Sequence, residues 1–252
     1  MKLGKLPARH NSVKLRLADY MKPTVLPKVP TNFGHENAVQ DWQMLANDQF
    51  GDCVWAGAAH ETMLWAGANG HAVQFTDSAV LSDYSALTGF NEADPATDQG
   101  TDMQKAASYR RKVGVVDALG TRHKVAAYLA LEPGNVKQLA EAAYLFGAVG
   151  IGVEFPNSAM DQFNKGEPWA FRRGSRIEGG HYVPVVGFRD GYFDVVTWGR
   201  VQRMTQAFYT RYCDEAIVYL SAEYLTGGRS PEGFDAATLQ RDLAAVTHLS
   251  AA

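Results

Sequence analysis

The order of its periodicities constrains this chain most. From about residue 50 to Gly147 the apolar residues recur at helical spacing. After Gly147 come short β-branched or aromatic runs, GAVGIGVEF, HYVPVVGF, YFDVVTWG and EAIVYLS, separated by Gly, Asp and Arg turns. Helices first and strands afterwards point to an α+β fold rather than a doubly wound α/β sheet. Four helices are predicted in the first part. One begins near Cys53, with Asp52 as N-cap, and ends around Gly67 to Gly70; another covers FTDSAVLSDYSALTGF, capped by Thr76 or Asp77. A third covers GTDMQKAASYRRKVG, capped by Thr101 or Asp102, and a fourth PGNVKQLAEAAYLFG. The tail, DAATLQRDLAAVTHL, reads as a helix capped by Asp235. The predicted organisation is an arm over residues 1–40, a helical lobe over 41–146, a β-rich lobe over 147–225 and a C-terminal helix over 226–252.

The arm differs in character from the rest. It carries Lys2, Lys5, Arg9, Lys14, Arg16, Lys22 and Lys28 against the single acid Asp19, and Pro23, Pro27 and Pro30 favour extended backbone. It is expected either as a solvated strap over the globule or as a docking or inhibitory segment. With 252 residues, 46% of them hydrophobic and 20% charged, the chain is long and apolar enough for a substantial core. A net charge of −3 argues against a nucleic-acid partner. No apolar run is long enough to span a bilayer, and MKLGKLPARH lacks the apolar stretch of a secretory signal. Two cysteines form no disulfide framework, which fits a reducing, cytoplasmic setting. A polypeptide substrate or protein partner is expected, with no membrane; the oligomeric state stays open.

Two residues carry the chemistry. Cys53 follows the turn-rich NDQFGDC and falls in the first turn of an apolar helix. The partial positive charge of that helix end favours a thiolate, the nucleophilic form. A cysteine so placed is equally a small buried hydrophobe. His181 stands at the mouth of a strand, directly after Gly179 and Gly180, where it can face a helix terminus across a cleft. Other features read as structural. Cys213 precedes a strand, and His60 and His71 have no metal-ligand spacing. The acids Glu92, Asp94, Asp98 and Asp102 lack the spacing of a calcium loop. No metal or cofactor is expected.

The surroundings of these two residues, in chain order, resemble those of papain-like cysteine peptidases. Asp41 and Trp42 precede the cysteine loop, and NDQFGDCVWA is similar to the family's glutamine–loop–Cys–Trp–Ala element. LSDYSALTGF, DQGTDMQKAASYRRKVGVV and GAVGIGVEF follow in the family's order. GGHYVPVVGF resembles the strand of the catalytic histidine, and VVTWG the Asn-Ser-Trp-Gly that ends the next strand. The likeness runs from about residue 41 to 200 and implies a two-lobed fold, with a helical N-terminal lobe, an antiparallel β-rich C-terminal lobe and a cleft between them.

The resemblance also implies roles. Cys53 would be the nucleophile and His181 its proton partner. The Cys53 N–H and a preceding side-chain amide would hold the oxyanion; Asn47 has the family's spacing, and Gln49, the reserve, has the family's residue type. Gly100, Tyr182 and Trp198 are expected on the substrate side, with Gly100 pairing with an extended backbone and Tyr182 narrowing a subsite. The third triad position departs from the family. Where an Asn is expected stands Val196, and a one-residue shift brings Thr197 there; strand alternation makes Asp194 the other candidate. Asp52 beside the thiol resembles the Asp-Cys pair of bacteriocin-processing peptidases. The implied activity is a thiol hydrolase cleaving peptide or isopeptide bonds. The alternatives are a catalytically weak papain-fold binding protein of phage or prophage origin, even a virion component, and an acyl transferase or deamidase.

Overall fold

The structure, a computed structural model, describes residues 1–9, 13, 15–19 and 28–224. The predicted tail helix after Asp235, and most of the proline-containing stretch of the arm, lie outside these residues. In chain order the elements are β1 (Phe33–Gly34), α1 (Cys53–Ala68), α2 (Asp77–Thr88), α3 (Met103–Lys112), β2 (Val115–Val116), β3 (Arg122–His123), β4 (Val125–Ala130) and α4 (Val136–Phe146). There follow β5 (Val149–Pro156), α5 (Asn157–Lys165), β6 (Ile177–Arg189), β7 (Tyr192–Thr197), β8 (Arg200–Thr205), α6 (Gln206–Tyr212) and β9 (Cys213–Ser221).

The helix starts obey capping chemistry. Thr76 accepts from the Ala79 N–H, Asp102 from those of Gln104 and Lys105, and Asn135 from that of Gln138. Asp52 occupies the N-cap position of α1 without capping through its side chain. Helix α1 is buried on every side from Cys53 to Ala66, as a helix running through the middle of a molecule must be.

One antiparallel sheet organises the second half. Its order is β4-β9-β5-β6-β7-β8, with β1 added alongside β6. The sheet thus recruits β4 from the predicted helical stretch, where VAAYLA alternates buried and more accessible residues. The turn between β6 and β7 is Asp190–Gly191, both at positive φ, a two-residue hairpin loop. Two apolar cores result. One holds Leu139, Ile151, Phe155, Trp169, Val183, Phe193 and Phe208. The other gathers Trp55, Leu64, Trp65, Phe75, Tyr84 and Met103 around the helices.

A buried ion pair ties the helices to the sheet. Arg110 Nη1 of α3 donates to Glu61 Oε2 of α1 at 2.5 Å, and the Tyr182 hydroxyl of β6 donates to Glu61 Oε1 at 2.8 Å. The guanidinium also lies over the Tyr219 ring, 3.9 Å from its centroid.

Candidate functional site

The thiol is positioned by a loop braced from two sides. Asn47 Nδ2 donates to the Phe50 carbonyl (3.1 Å) and to Asp52 Oδ1 (3.0 Å). The Gly51 N–H donates to Asp98, which also accepts from the Tyr84 hydroxyl at 2.8 Å. That hydroxyl accepts from the Gly100 N–H at 2.8 Å. Segments 47–53 and 98–101 therefore form one rigid wall. Helix α1 begins at Cys53, so the cysteine sits in a first turn whose N–H groups have no acceptor within the helix.

His181 comes from β6, in register with Val153 of β5. Its Nε2 lies 2.8 Å from Thr197 Oγ1 at the end of β7. Nδ1 is buried and has no partner among the described residues. Trp198 stacks on the imidazole with centroids 4.4 Å apart and an 18° interplanar angle. It can do so because Trp198 and Gly199 form the two-residue turn into β8, with Trp198 at φ 45°. A bulky residue in the left-handed region costs energy, which the stacking and the burial of the indole offset. The Cys53 side chain is buried at the start of α1.

Burial dominates the electrostatics. It pushes the Cys53 thiol up to about 12, with backbone hydrogen bonds from Tyr182 and Gly4 opposing and the neighbouring Asp52 adding to the rise. Burial alone brings His181 down to about 3. Asp52 is itself held well above the ordinary carboxylate range by burial, against the Asn47 hydrogen bond. In this arrangement both thiol and imidazole are neutral at pH 7.

The arm closes the site. The Lys2 N–H donates to the Asn47 carbonyl at 3.0 Å. The Lys5 N–H donates to the Gly180 carbonyl at 3.0 Å, the Thr101 N–H to the Gly4 carbonyl at 2.7 Å and the Leu6 N–H to the Thr101 carbonyl at 3.0 Å. Residues 4–6 are thus strung between the wall beside Cys53 and the strand that carries His181. Gly4 packs directly on Gly51, and a Cβ on Gly100, at φ 76°, would run into the Gly4 carbonyl. The solvated strap expected for this stretch forms only in part: Met1, Lys2, Leu6, Pro7 and Arg9 are exposed, whereas Lys5 is buried.

Several expectations are corrected. Both amide hydrogens of Asn47 are committed to Phe50 and Asp52, so it braces the loop and offers no donor to an oxyanion; the reserve, Gln49, is exposed. Gly100 supplies close approach, but the residue that pairs with the extended backbone is Thr101. Tyr182 is no subsite wall: its ring packs against Gly57 and Gly150 beneath α1. Trp198 is buried on the imidazole rather than open to a substrate. Asp194 accepts from Arg189 at 3.2 Å, away from His181, because alternation along β7 puts Thr197 and Asp194 on opposite faces. His60 is buried against the Gln43 carbonyl (3.2 Å), and Asp94 and Asp102 cap helices. Cys213 donates to the Glu215 carbonyl at 3.4 Å. Sequence reasoning missed Thr101, Gly180, Lys5 and Asp214. Two of them act through backbone atoms, which carry no side-chain signature, and the other two are a charge pair 209 residues apart.

No family model and no curated protein matches the sequence. Solved structures do. The structure is similar to xylellain, a cysteine protease from Xylella fastidiosa, with a TM-score of 0.67 and 14% identity over 87% of this chain and 96% of that one. Procathepsin B S9 from Trypanosoma congolense superposes with a TM-score of 0.64 and 10% identity, covering 87% and 86%. Digestive procathepsin L 3 from the larval midgut of Tenebrio molitor gives 0.59 and 15%, covering 86% and 73%. The fold is that of the papain-like cysteine proteases.

Proposed function

We propose that this papain-fold chain is a thiol hydrolase acting on peptide or isopeptide bonds, held inactive in the present arrangement by its own residues 2–6. The observation that carries the reading is the oriented imidazole. His181 Nε2 meets Thr197 Oγ1 at 2.8 Å and Trp198 covers its face, while the buried Nδ1 has no partner among the described residues. A histidine held through one nitrogen and open at the other is what a proton acceptor for a thiol requires. Nδ1 takes the thiol proton, the thiolate adds to the carbonyl carbon, and the same proton then passes to the leaving amine. Hydrolysis of the acyl-thiol by water regenerates the pair.

The arm explains why neither group is charged at rest. It excludes water from the sulfur, and desolvation disfavours both thiolate and imidazolium. Displacing it admits solvent and lets the helix N-terminus act on the thiolate. Gly4→Val has no room against the Gly51 carbonyl and is the substitution of choice for opening the groove. The test is covalent labelling of the full-length Gly4→Val chain by an epoxysuccinyl inhibitor, read by mass spectrometry. One adduct is expected at Cys53, formed at least tenfold faster than in the parent chain and absent from Cys53→Ala and His181→Ala derivatives. Labelling that persists in the Cys53→Ala derivative would overturn the assignment.

A second reading, a papain-fold binding protein with little turnover, is favoured by the neutral buried thiol and by a hydroxyl in place of an amide at position 197. Absence of any Cys53 adduct in the opened chain would select it. An amine acceptor added to a peptide assay separates acyl transfer from hydrolysis.

A further inference from the structure

Between α5 and β6 runs a loop of unusual charge, FRRGSRI, residues 171–177. It is pinned at both ends. At Ala170 the Gln162 side-chain amide donates to the carbonyl (3.3 Å) and accepts from the N–H (3.0 Å). At the other end the Ser175 hydroxyl donates to that of Ser158 at 2.7 Å, and the Asn157 N–H to the Arg176 carbonyl at 2.9 Å. Between these clamps Gly174, at φ 83°, lets the chain turn, and the Ser175 N–H donates to the Arg172 carbonyl at 3.3 Å. The backbone is held, while Arg172, Arg173 and Arg176 are exposed. Several other arginines are answered: Arg110 meets Glu61, Arg122 meets Asp83, Arg189 meets Glu36 and Asp194, and Arg203 meets Asp190. The three on this loop have neither a carboxylate nor a ring as partner among the described residues. With a net charge of −3 on the whole chain, this is a local excess. At the feet of the turn stand two large apolar side chains, Phe171 (44% exposed) and Ile177 (45%). Arginine beside exposed aromatic and aliphatic surface, without lysine, is the composition of an interface rather than of a solvated turn.

We propose that the 171–177 loop docks an acidic segment of a partner polypeptide. Charge sets the sign of the partner, and the arrangement sets its kind. Arginines occupy the turn and apolar side chains its feet. In a bilayer the order is reversed: apolar side chains go deepest and basic ones stay with the headgroups. A single nucleic-acid strand needs open aromatic faces to stack on, and the one ring here, Phe171, already lies against Tyr212 with centroids 6.1 Å apart. A planar guanidinium instead takes a carboxylate through two parallel hydrogen bonds, which suits Asp and Glu side chains. The pinned backbone loses little freedom on binding. Exposed ion pairs are individually weak, so affinity comes from several of them together with the apolar feet, and it falls as salt screens them. The inference uses neither Cys53 nor the groove, and it stands or falls separately from the proposed hydrolase.

The experiment uses the full-length chain and a fluorescein-labelled peptide, Glu-Glu-Phe-Asp-Glu-Leu, with Gln-Gln-Phe-Asn-Gln-Leu as its neutral counterpart. Fluorescence polarisation at low salt is expected to show the acidic peptide binding about tenfold more tightly than the neutral one, or better. Arg172→Glu with Arg173→Glu is expected to abolish that preference, and Phe171→Ser to weaken binding of the acidic peptide several-fold. Arg111→Glu with Lys112→Glu, at the exposed end of α3, makes the same change of net charge elsewhere on the molecule. It is expected to leave the affinity within about twofold of the parent, since screening confines the effect of distant surface charges. No binding of the acidic peptide overturns the docking loop, and so does an equal loss in the two double variants, which would leave only general electrostatics. Vesicles of phosphatidylglycerol and phosphatidylcholine in equal parts, and a single-stranded oligonucleotide, are assayed alongside. Binding of either that is tighter than that of the peptide and lost in Arg172→Glu with Arg173→Glu overturns the polypeptide as partner.

Discussion

Thr197 is the residue on which the orientation of His181 turns. A single hydroxyl holds Nε2 where an amide would be stiffer. Thr197→Val removes the acceptor and leaves Nε2 buried and unpaired, and is expected to lower peptide turnover by the opened Gly4→Val chain by roughly 10²-fold. Thr197→Asn is expected to keep turnover within a few-fold of Thr or to raise it. Steady-state kinetics on one fluorogenic peptide compares them, and a Thr197→Val chain as active as its parent would remove Thr197 from the site. The thiol gives a second residue-level test. With Cys53 pushed up to about 12 beneath the arm, the labelling rate of the parent chain should climb with pH through the alkaline range without a plateau. In the Gly4→Val chain the profile should level off at a pH at least two units lower. Identical profiles would mean that the arm is not what raises the thiol.

At the scale of elements, the joint between α1, α3 and β6 is the Glu61–Arg110–Tyr182 cluster. Glu61 is pushed up by burial while Arg110 draws it down, and the pair is retained because each charge answers the other. Glu61→Ala strands a fully buried guanidinium and is expected to cost about 3–5 kcal/mol. Replacing both partners, Glu61→Leu with Arg110→Leu, is expected to recover more than half of that loss. Urea denaturation monitored by circular dichroism measures both, and a double variant no better than the single one would show that the stability came from packing alone. The helices themselves were legible: α1 to α4 occupy the stretches that the caps and glycines mark. β4 was hidden because VAAYLA sits among helical segments and earns its sheet place only by pairing with β9, nearly ninety residues on. α5, α6 and β8 were likewise not legible, being short or polar segments whose conformation depends on the sheet they pack against.

For the whole molecule, the buried neutral histidines make stability depend on pH. His60 is lowered to about 4 and His181 to about 3, both by burial. Between their ordinary value of about 6.5 and these values the unfolded chain binds protons that the folded chain refuses, so stability rises with pH across that window. The contribution is complete above pH 6.5 and is lost as the pH falls towards 4 and then 3. Asp52, raised by burial, acts with the opposite sign and offsets part of the fall. The denaturation midpoint is therefore expected to drop between pH 7 and pH 4.5, and less steeply in His60→Gln, by up to one proton's worth of slope. A His60→Gln chain with the same slope as its parent would show that the imidazole is solvated in the folded state.

The order of periodicities, the capping residues and the turn glycines determined the α+β class and where the helices begin, because these are local properties of a backbone and its nearest side chains. They also singled out Cys53 and His181, each marked by its own neighbours along the chain. Only tertiary structure decided that Thr197 rather than Asp194 meets the imidazole, since one residue of register chooses the face of β7. It likewise decided that Asn47 spends its hydrogens on Asp52 and that residues 4–6 lie in the groove with Lys5 against Asp214. Charge pairs and backbone hydrogen bonds across such sequence distances leave no local pattern to read. They exist because two surfaces come together once the sheet has closed.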